Sequence, residues 1–279
     1  MTDDVFEEHR KVLFGIAYRM LGSASDADDM VQETYIRWRG ADPAAVRSPR
    51  AFLSTIITRI CLDRLKEAST IRVDYVGPWL PEPIVTEGDA VEVAESISLA
   101  FLVLLESLTP LERAVHLLHD VFDYSHDEIS DIIGRDAATC RKILERARKD
   151  IIARRPRYAP SREALREVTR FATAVATGDA TALERMLADD VWSYADANGK
   201  ATAARKPLQG RPTVLKLYAG LARLFPPHTE TELRDVNGLP AIVWRVDGKT
   251  AGVVQIETDG ERIHAIRSTL NPDKLARIH

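Results

Sequence analysis

The tightest constraint on this chain is the stretch Ser125 to Arg155, SHDEISDIIGRDAATCRKILERARKDIIARR. Ser125 and Glu128 stand at capping-box spacing, so hydroxyl and carboxylate can each take an orphan backbone N–H and start a short helix near His126. Gly134 can turn left-handed and Asp136 can cap a second helix, which makes the pair a helix-turn-helix. Along the second helix Cys140, Ile143, Leu144, Ala147 and Ile151 recur at three- and four-residue steps as an apolar stripe. Arg141, Lys142, Arg146, Arg148 and Lys149 lie around the rest, and from Ala137 to Arg157 eight Lys or Arg against two acids give a net +6. Phosphate contacts demand such a local patch, and Thr139, Arg141 and Lys142 sit where the start of a recognition helix meets base edges. A solvated amphipathic helix is the bland alternative; the capped short helix and the tight glycine turn weigh against it.

The whole chain, 279 residues with a net charge of -4, has room for two or three domains and is not a generally basic nucleic-acid binder. Cys61 and Cys140 both fall inside helical patterns without partners at metal-ligand spacing, so they read as small buried apolar residues and no metal or cofactor is expected. An apolar run of spanning length and a signal peptide are both missing, so the expectation is a cytoplasmic protein with no membrane partner.

Helical patterning fills the first 65 residues. Phe6, Leu13, Phe14, Ala17 and Tyr18 share a face, Gly22 ends that helix, Ser25 with Asp28 is expected to begin the next, and Ser48-Pro49 starts a third carrying Phe52, Leu53, Ile56, Ile57, Ile60 and Leu65. Charge is segregated: residues 1–40 are net -3 and residues 47–72 net +4.

DADDMVQETYIRW (Asp26 to Trp38) followed by RAFLSTIITRICLDRLK (Arg50 to Lys66) resembles region 2 of bacterial extracytoplasmic-function (ECF) sigma factors. LTPLERAVHLLHDVFDYSHDEISDIIGRDAATCRKILERARKDI (Leu108 to Ile151) resembles their region 4. The resemblance implies that Asp29, Gln32 and Glu33 grip core RNA polymerase. It implies too that the loop Gly40 to Pro49 and the third helix, with Arg50, Phe52, Arg59 and Arg64, take the melted −10 strand of promoter DNA. Region 4 would read the −35 element through Thr139, Arg141, Lys142, Arg146 and Lys149. An apolar pocket with a cationic wall is what flipped, unpaired bases need. Cys140 stands where the family usually has an aliphatic residue.

Between Asp74 and Glu112 there are eight acids and no Lys or Arg. Within it Trp79-Leu80-Pro81-Glu82-Pro83 joins a large aromatic to prolines, a shape that packs on a neighbour; Trp79 is expected to be the covered anchor, with Lys200 and Lys274 available to Glu82. Thr109-Pro110-Leu111-Glu112 is a capping box with a proline start. Arg155 to Pro160 reads as a boundary, after which helices at Leu165 to Ala176, Thr181 to Ala188 and Pro212 to Phe225 precede strands at Glu230 to Val236, Ala241 to Asp247, Thr250 to Thr258 and Arg262 to Leu270. Asn237-Gly238, Asp247-Gly248 and Asp259-Gly260 between them are hairpin turn signals, so a curled antiparallel sheet is expected.

This order resembles the SnoaL-like cone fold, and three motifs resemble the sigma-factor subgroup that carries it: Trp79 to Pro83, Asp196-Ala197-Asn198-Gly199-Lys200 and Asn271-Pro272-Asp273-Lys274-Leu275. Where that subgroup tends to have glycines this chain has Ala197 and Asn198. By that resemblance the domain is a built-in regulator, with Trp79, Leu80, Pro81, Glu82, Pro83, Asp196, Gly199, Lys200, Asn271, Pro272, Asp273, Lys274 and Leu275 as its interdomain residues. Asp196, His228, Asp247 and His264 are the acid–base groups that a cone enzyme would use, but nothing in the sequence makes them converge, so no catalytic residue is expected.

The expectation is a multidomain protein: sigma region 2 over 1–72, an acidic linker over 73–107, sigma region 4 over 108–155 and an α+β SnoaL-like cone over 161–279. Its function would be promoter-specific initiation by core RNA polymerase. The alternatives are a small-molecule enzyme and an operator-binding regulator sensing a ligand in the cone; whether the cone takes a small molecule is left open.

Overall fold

The computed structural model describes residues 3–42, 46–71, 74–86, 97–154, 164–226 and 228–279. The expected boundary at Arg155 to Pro160, the acids Glu87, Asp89, Glu92 and Glu95, and Pro43 to Ala45 of the loop after the second helix lie outside the described residues. Contacts divide the chain into two compact units, Met1–Val73 with Leu102–Arg155, and Asp74–Phe101 with Pro156–His279.

In the first unit α1 (Asp3–Leu21), α2 (Ala24–Arg39) and α3 (Pro49–Ile71) bury Phe6, Leu13, Ile16, Met20, Val31, Trp38, Leu53 and Ile57. Removing one such side chain from water stabilises the fold by about 1.5–3 kcal/mol. Gly22 ends α1 at φ 68. The cap of α2 lies two residues earlier than expected: the Ser23 hydroxyl accepts from Asp26 N–H at 3.1 Å. Ser48 caps α3, as its spacing with Pro49 requires.

The stretch expected as one linker is divided between the units, which meet in sequence within α4 (Leu99–Leu105). Next comes α5 (Pro110–His116), which runs on through a π-helical turn at Leu117–Val121, and then α6 (His126–Ile133) and α7 (Ala137–Arg154). The buried guanidinium of Arg113 ties α5 to the bundle, donating to Met20 O at 2.6 Å and to Glu106 Oε1 at 2.8 Å.

The second unit contains α8 (Leu165–Thr177), α9 (Ala180–Met186), β1 (Leu187–Asp196), β2 (Leu208–Gln209), α10 (Arg211–Leu221), β3 (Thr229–Val236), β4 (Leu239–Val246), β5 (Lys249–Thr258), β6 (Ile263–Thr269) and α11 (Pro272–Leu275). Six strands form one sheet in the order β2-β1-β6-β5-β4-β3. The four expected strands, β3 to β6, pair antiparallel; β1, which was not expected, is added beside β6 in parallel. β1 itself escaped the strand pattern: Asp189 and Asp190 are exposed in its first half, where the register against β6 shifts between Leu187 and Trp192. One face of the sheet, with Ile242, Val254, Ile256 and Ile266, packs on Phe171 and Val175 of α8 and on Val214 and Tyr218 of α10. Gly252 lies beneath the Trp244 ring, where a Cβ would overlap it. The other face, with Val236, Ala241, Val243 and Val253, is covered by Leu275, Ile278 and Val85. Among the described residues no helix is long and apolar enough to cross a membrane.

Candidate nucleic-acid interface and linker site

Both capping boxes form. Thr109 N–H donates to Glu112 Oε2 at 3.1 Å, Ser125 N–H to Glu128 Oε2 at 2.8 Å, and each hydroxyl accepts the return bond from the Glu N–H. Gly134 takes φ 69, its N–H reaching Ser130 O at 2.9 Å, and Asp136 Oδ1 accepts from Thr139 N–H at 2.9 Å. The helix-turn-helix is therefore set by short-range hydrogen bonds, and α7 is seated by buried Cys140, Leu144 and Ala147. Burial pushes the Cys140 thiol up, so it is an inert packing group.

That seating turns Arg141, Lys142, Arg146 and Lys149 to solvent. Lys149 pairs with Glu145 at 2.9 Å, whereas Arg141, Lys142 and Arg146 have no hydrogen-bond or ion-pair partner among the described residues. Thr139 serves the cap, its hydroxyl donating to Asp136 Oδ2 at 2.6 Å. Arg148, on the same helix, is held by Asp120, which also meets His116 Nδ1 and His119 Nδ1 at 2.8 Å. Burial would raise the Asp120 carboxyl, but hydrogen bonds from Arg148 and His119 and the nearby His116 hold it down at about 2.

The cations expected to line a −10 pocket each have partners within the protein. Arg50 donates to Phe122 O at 3.1 Å and lies over the Tyr124 ring at 4.4 Å. Arg59 donates to Ile132 O at 3.2 Å and Asp131 O at 3.4 Å, satisfying carbonyls at the end of α6. Arg64 pairs with Asp26 at 2.9 Å, and Phe52 packs against Trp38 with centroids 6.1 Å apart. On α2, Asp29 and Gln32 are exposed and Glu33 is bonded to Arg37 at 2.9 Å, beside exposed Ile36.

In the second unit the three expected motifs come together. Asp196, wholly buried at the end of β1, accepts from Tyr75 O–H, from Leu80 N–H at 2.8 Å and from Lys274 Nζ at 2.7 Å. Lys274 also donates to Leu80 O and sits 4.2 Å from the Trp79 ring centroid and 5.1 Å from that of Tyr75. Burial and the hydrogen bond to Asp196 push the Tyr75 phenol up, which keeps it protonated and donating. Asn271 caps α11 at Asp273 N–H and donates to the Tyr75 oxygen at 3.1 Å; Pro272 comes next, at the first helical position, and Leu275 is buried. Gly199, at φ 69, lets the turn pass beside Val76, whose N–H donates to Asn198 Oδ1 at 3.2 Å.

One expectation about this site is corrected: Trp79 is only half-buried, and Leu80 with Pro81, Glu82 and Pro83 is the buried part of the motif. Lys200 pairs with Asp273, Lys274 with Asp196, and the buried Glu82 carboxylate meets Arg277 at 3.7 Å. Sequence reading missed Tyr75 and Arg277; the aromatic four residues before Trp79 was the available signal for the first.

The acid–base candidates do not converge. His228 and Asp247 are exposed turn residues at φ 66 and 50, Asp196 is engaged by Tyr75, Leu80 and Lys274, and His264 Nε2 meets Asp259 at 2.9 Å. Among the described residues no cluster could hold a metal ion.

A capped helix-turn-helix with free cations, a helical bundle in the same compact unit and an α+β domain that binds its own linker define the class: a DNA-directed initiation factor with a fused accessory domain. The Sigma-70 region 2 model matches residues 5–70 and the Sigma-70 region 4 model residues 98–151. The ECF RNA polymerase sigma factor SigJ of Mycobacterium tuberculosis is 35% identical over 272 residues, 95% of this chain and 85% of that protein. A probable ECF RNA polymerase sigma factor, SigI of the same species, is 31% identical over 96% of this chain and 92% of its own length. The crystal structure of SigJ superposes with a TM-score of 0.77 at 32% identity, covering 98% of both chains. The chain belongs to the ECF RNA polymerase sigma factors: it is a transcription initiation factor, not an enzyme, and its carboxy-terminal part is the six-stranded α+β domain.

Proposed function

We propose that this sigma factor directs core RNA polymerase to promoters in the cytoplasm and is regulated by its own cone domain. Residues 1–72 would serve as region 2, 73–107 as the linker, 108–155 as region 4 and 161–279 as the regulator. In this reading Asp29, Gln32 and Glu33 present one polar face of α2 to polymerase, and Arg141, Lys142, Arg146 and Lys149 meet the −35 element. Arg50, Phe52, Arg59 and Arg64 meet the −10 strand once their present contacts are exchanged for DNA. The observation that carries the regulatory part is the grip on the linker: Leu80 is bonded through both its N–H and its C=O to Asp196 and Lys274. The cone interior is packed with Phe171, Ile242, Val254 and Ile266, so the reading needs no small molecule there.

The test is reconstituted transcription with purified core polymerase. Wild type is expected to give promoter-specific transcripts from core alone. Asp29→Lys with Glu33→Lys should abolish co-purification with core while leaving the helical circular dichroism spectrum unchanged. Retained co-purification would remove α2 from the polymerase contact.

A further inference from the structure

We propose that the cone domain holds the linker by two separable fastenings, and that the second is the side chain of Asn237 in the β3–β4 turn. This deepens the regulatory reading of the cone and rests on it.

Two turns in the sheet offer an internal control. Asn237-Gly238 and Asp247-Gly248 have nearly the same backbone, φ 52 and 74 against φ 50 and 75, as two-residue hairpins require. Asp247-Gly248 is exposed, as hairpin tips ordinarily are, whereas Asn237 is 0% exposed. What covers it is the linker. Val85 bridges Val236 at the edge of the sheet, Thr86 N–H donates to Asp235 O at 2.9 Å and Asn237 N–H to Ile84 O at 2.8 Å. Gly238 N–H donates to Thr86 Oγ1 at 2.9 Å, and behind the turn Gln255 Nε2 donates to Val236 O at 2.8 Å.

The Asn237 amide then reaches in two directions. Its Oδ1 accepts from Ile84 N–H at 3.3 Å and its Nδ2 donates to Ile97 O at 2.9 Å. One side chain thus fixes two linker points thirteen residues apart, and it needs both a donor and an acceptor to do so. Aspartate, the residue of the exposed turn, satisfies the backbone equally well but cannot donate to Ile97.

The two fastenings also sit at different places along the chain. The Asp196–Lys274 grip takes Tyr75, Trp79 and Leu80, a few residues after α3 of the region 2 bundle. The Asn237 grip takes Ile97, two residues before α4 leads into the region 4 helices. Asn237 is therefore the positioning residue for the region 4 side of the linker, and Asp196–Lys274 for the region 2 side.

Hydrogen–deuterium exchange on the full chain tests this with Asn237→Gly, Asn237→Asp and Lys274→Met. Glycine keeps the left-handed turn and deletes both side-chain bonds; aspartate keeps only the acceptor. Asn237→Gly should speed exchange about tenfold at the Ile84 and Thr86 amides and over 97–101, leaving the Leu80 amide as in wild type. Asn237→Asp should speed exchange over 97–101 alone, a split that a merely turn-forming residue would not give. Lys274→Met should release Leu80 and spare Ile84. Amides paired between β4 and β5 report that each variant is folded. A common rise over 74–101 in any variant, or no rise at 97–101 in Asn237→Asp, would overturn the inference. If wild type failed to initiate from core while the exchange pattern held, the regulatory reading alone would fall.

Discussion

The helices α3 and α7 are comparably basic, net +4 over residues 47–72 and net +6 over 137–157, yet their cations are used in opposite ways. On α3, Arg50 and Arg59 are spent on backbone carbonyls and a tyrosine ring, and Arg64 on Asp26. On α7, Arg141, Lys142 and Arg146 have no such partner among the described residues. Arg148, drawn to Asp120, and Lys149, paired with Glu145 on its own helix, are the exceptions on α7. Local charge in a sequence measures the capacity to bind a polyanion; whether that capacity is available depends on which acceptors the fold brings near. A helix end is such an acceptor, since its last carbonyls have no partner within the helix.

The sharpest way to break this contrast is Arg141→Ala. Promoter affinity should fall by about 1–3 kcal/mol on the intact −35 element and much less on a scrambled one, with thermal stability unchanged. Lys149→Ala, its control two turns on, should weaken binding evenly and lower the salt slope by roughly one. Equal losses on both templates for Arg141→Ala would place it with the phosphate contacts.

Arg59→Ala should behave in the opposite sense. Losing two bonds to the end of α6 should cost about 1 kcal/mol of unfolding free energy, discounted because the side chain is exposed. An unchanged denaturant midpoint would mean that the carbonyls of α6 are as well served by water.

A smaller effect should come from pH. Burial lowers the pKa of His116, opposed by Asp120 and reinforced by Arg148 and His119; burial also lowers that of His126, with His119, Arg141 and Arg148 adding to it. Both are therefore harder to protonate folded than unfolded, so stability is full above an unfolded pKa of about 6.5 and declines as pH falls below it. Asp120 adds a second loss at lower pH, as the medium falls through its unfolded range toward about 2. Thermal midpoints from pH 8 to 5 should drop below 6.5, and His116→Gln should flatten that drop; a midpoint that rises on acidification would reverse the sign.

Much of this was legible because it is local. The capping boxes at Thr109 and Ser125, the left-handed Gly134 and the Asn-Gly and Asp-Gly turns each need only residues within four positions of one another. What escaped depends on distant partners. β1 lies beside β6 in parallel and is interrupted by two aspartates, so neither alternation nor a hairpin turn announced it. Arg277, which meets Glu82, lies beyond the motif that supplied the expected lysines, and Trp79 yielded the deepest position to Leu80. Asn237 was readable as a turn residue, but its two linker bonds lie 153 and 140 residues away in sequence. Arg50 and Arg59 were read from the family resemblance and from charge, neither of which speaks of the carbonyls of Phe122 and Ile132.

The central claim is that the cone domain regulates initiation by holding the linker, and the most direct measurement is single-round transcription by core polymerase with wild type and Lys274→Met at matched core occupancy. Removing the ammonium strips Leu80 O and the buried Asp196 carboxylate of their common partner, so the linker should be released. A changed transcript yield per bound molecule is expected, together with faster exchange at the Leu80 amide. Unchanged yield with the Leu80 amide demonstrably released would contradict it.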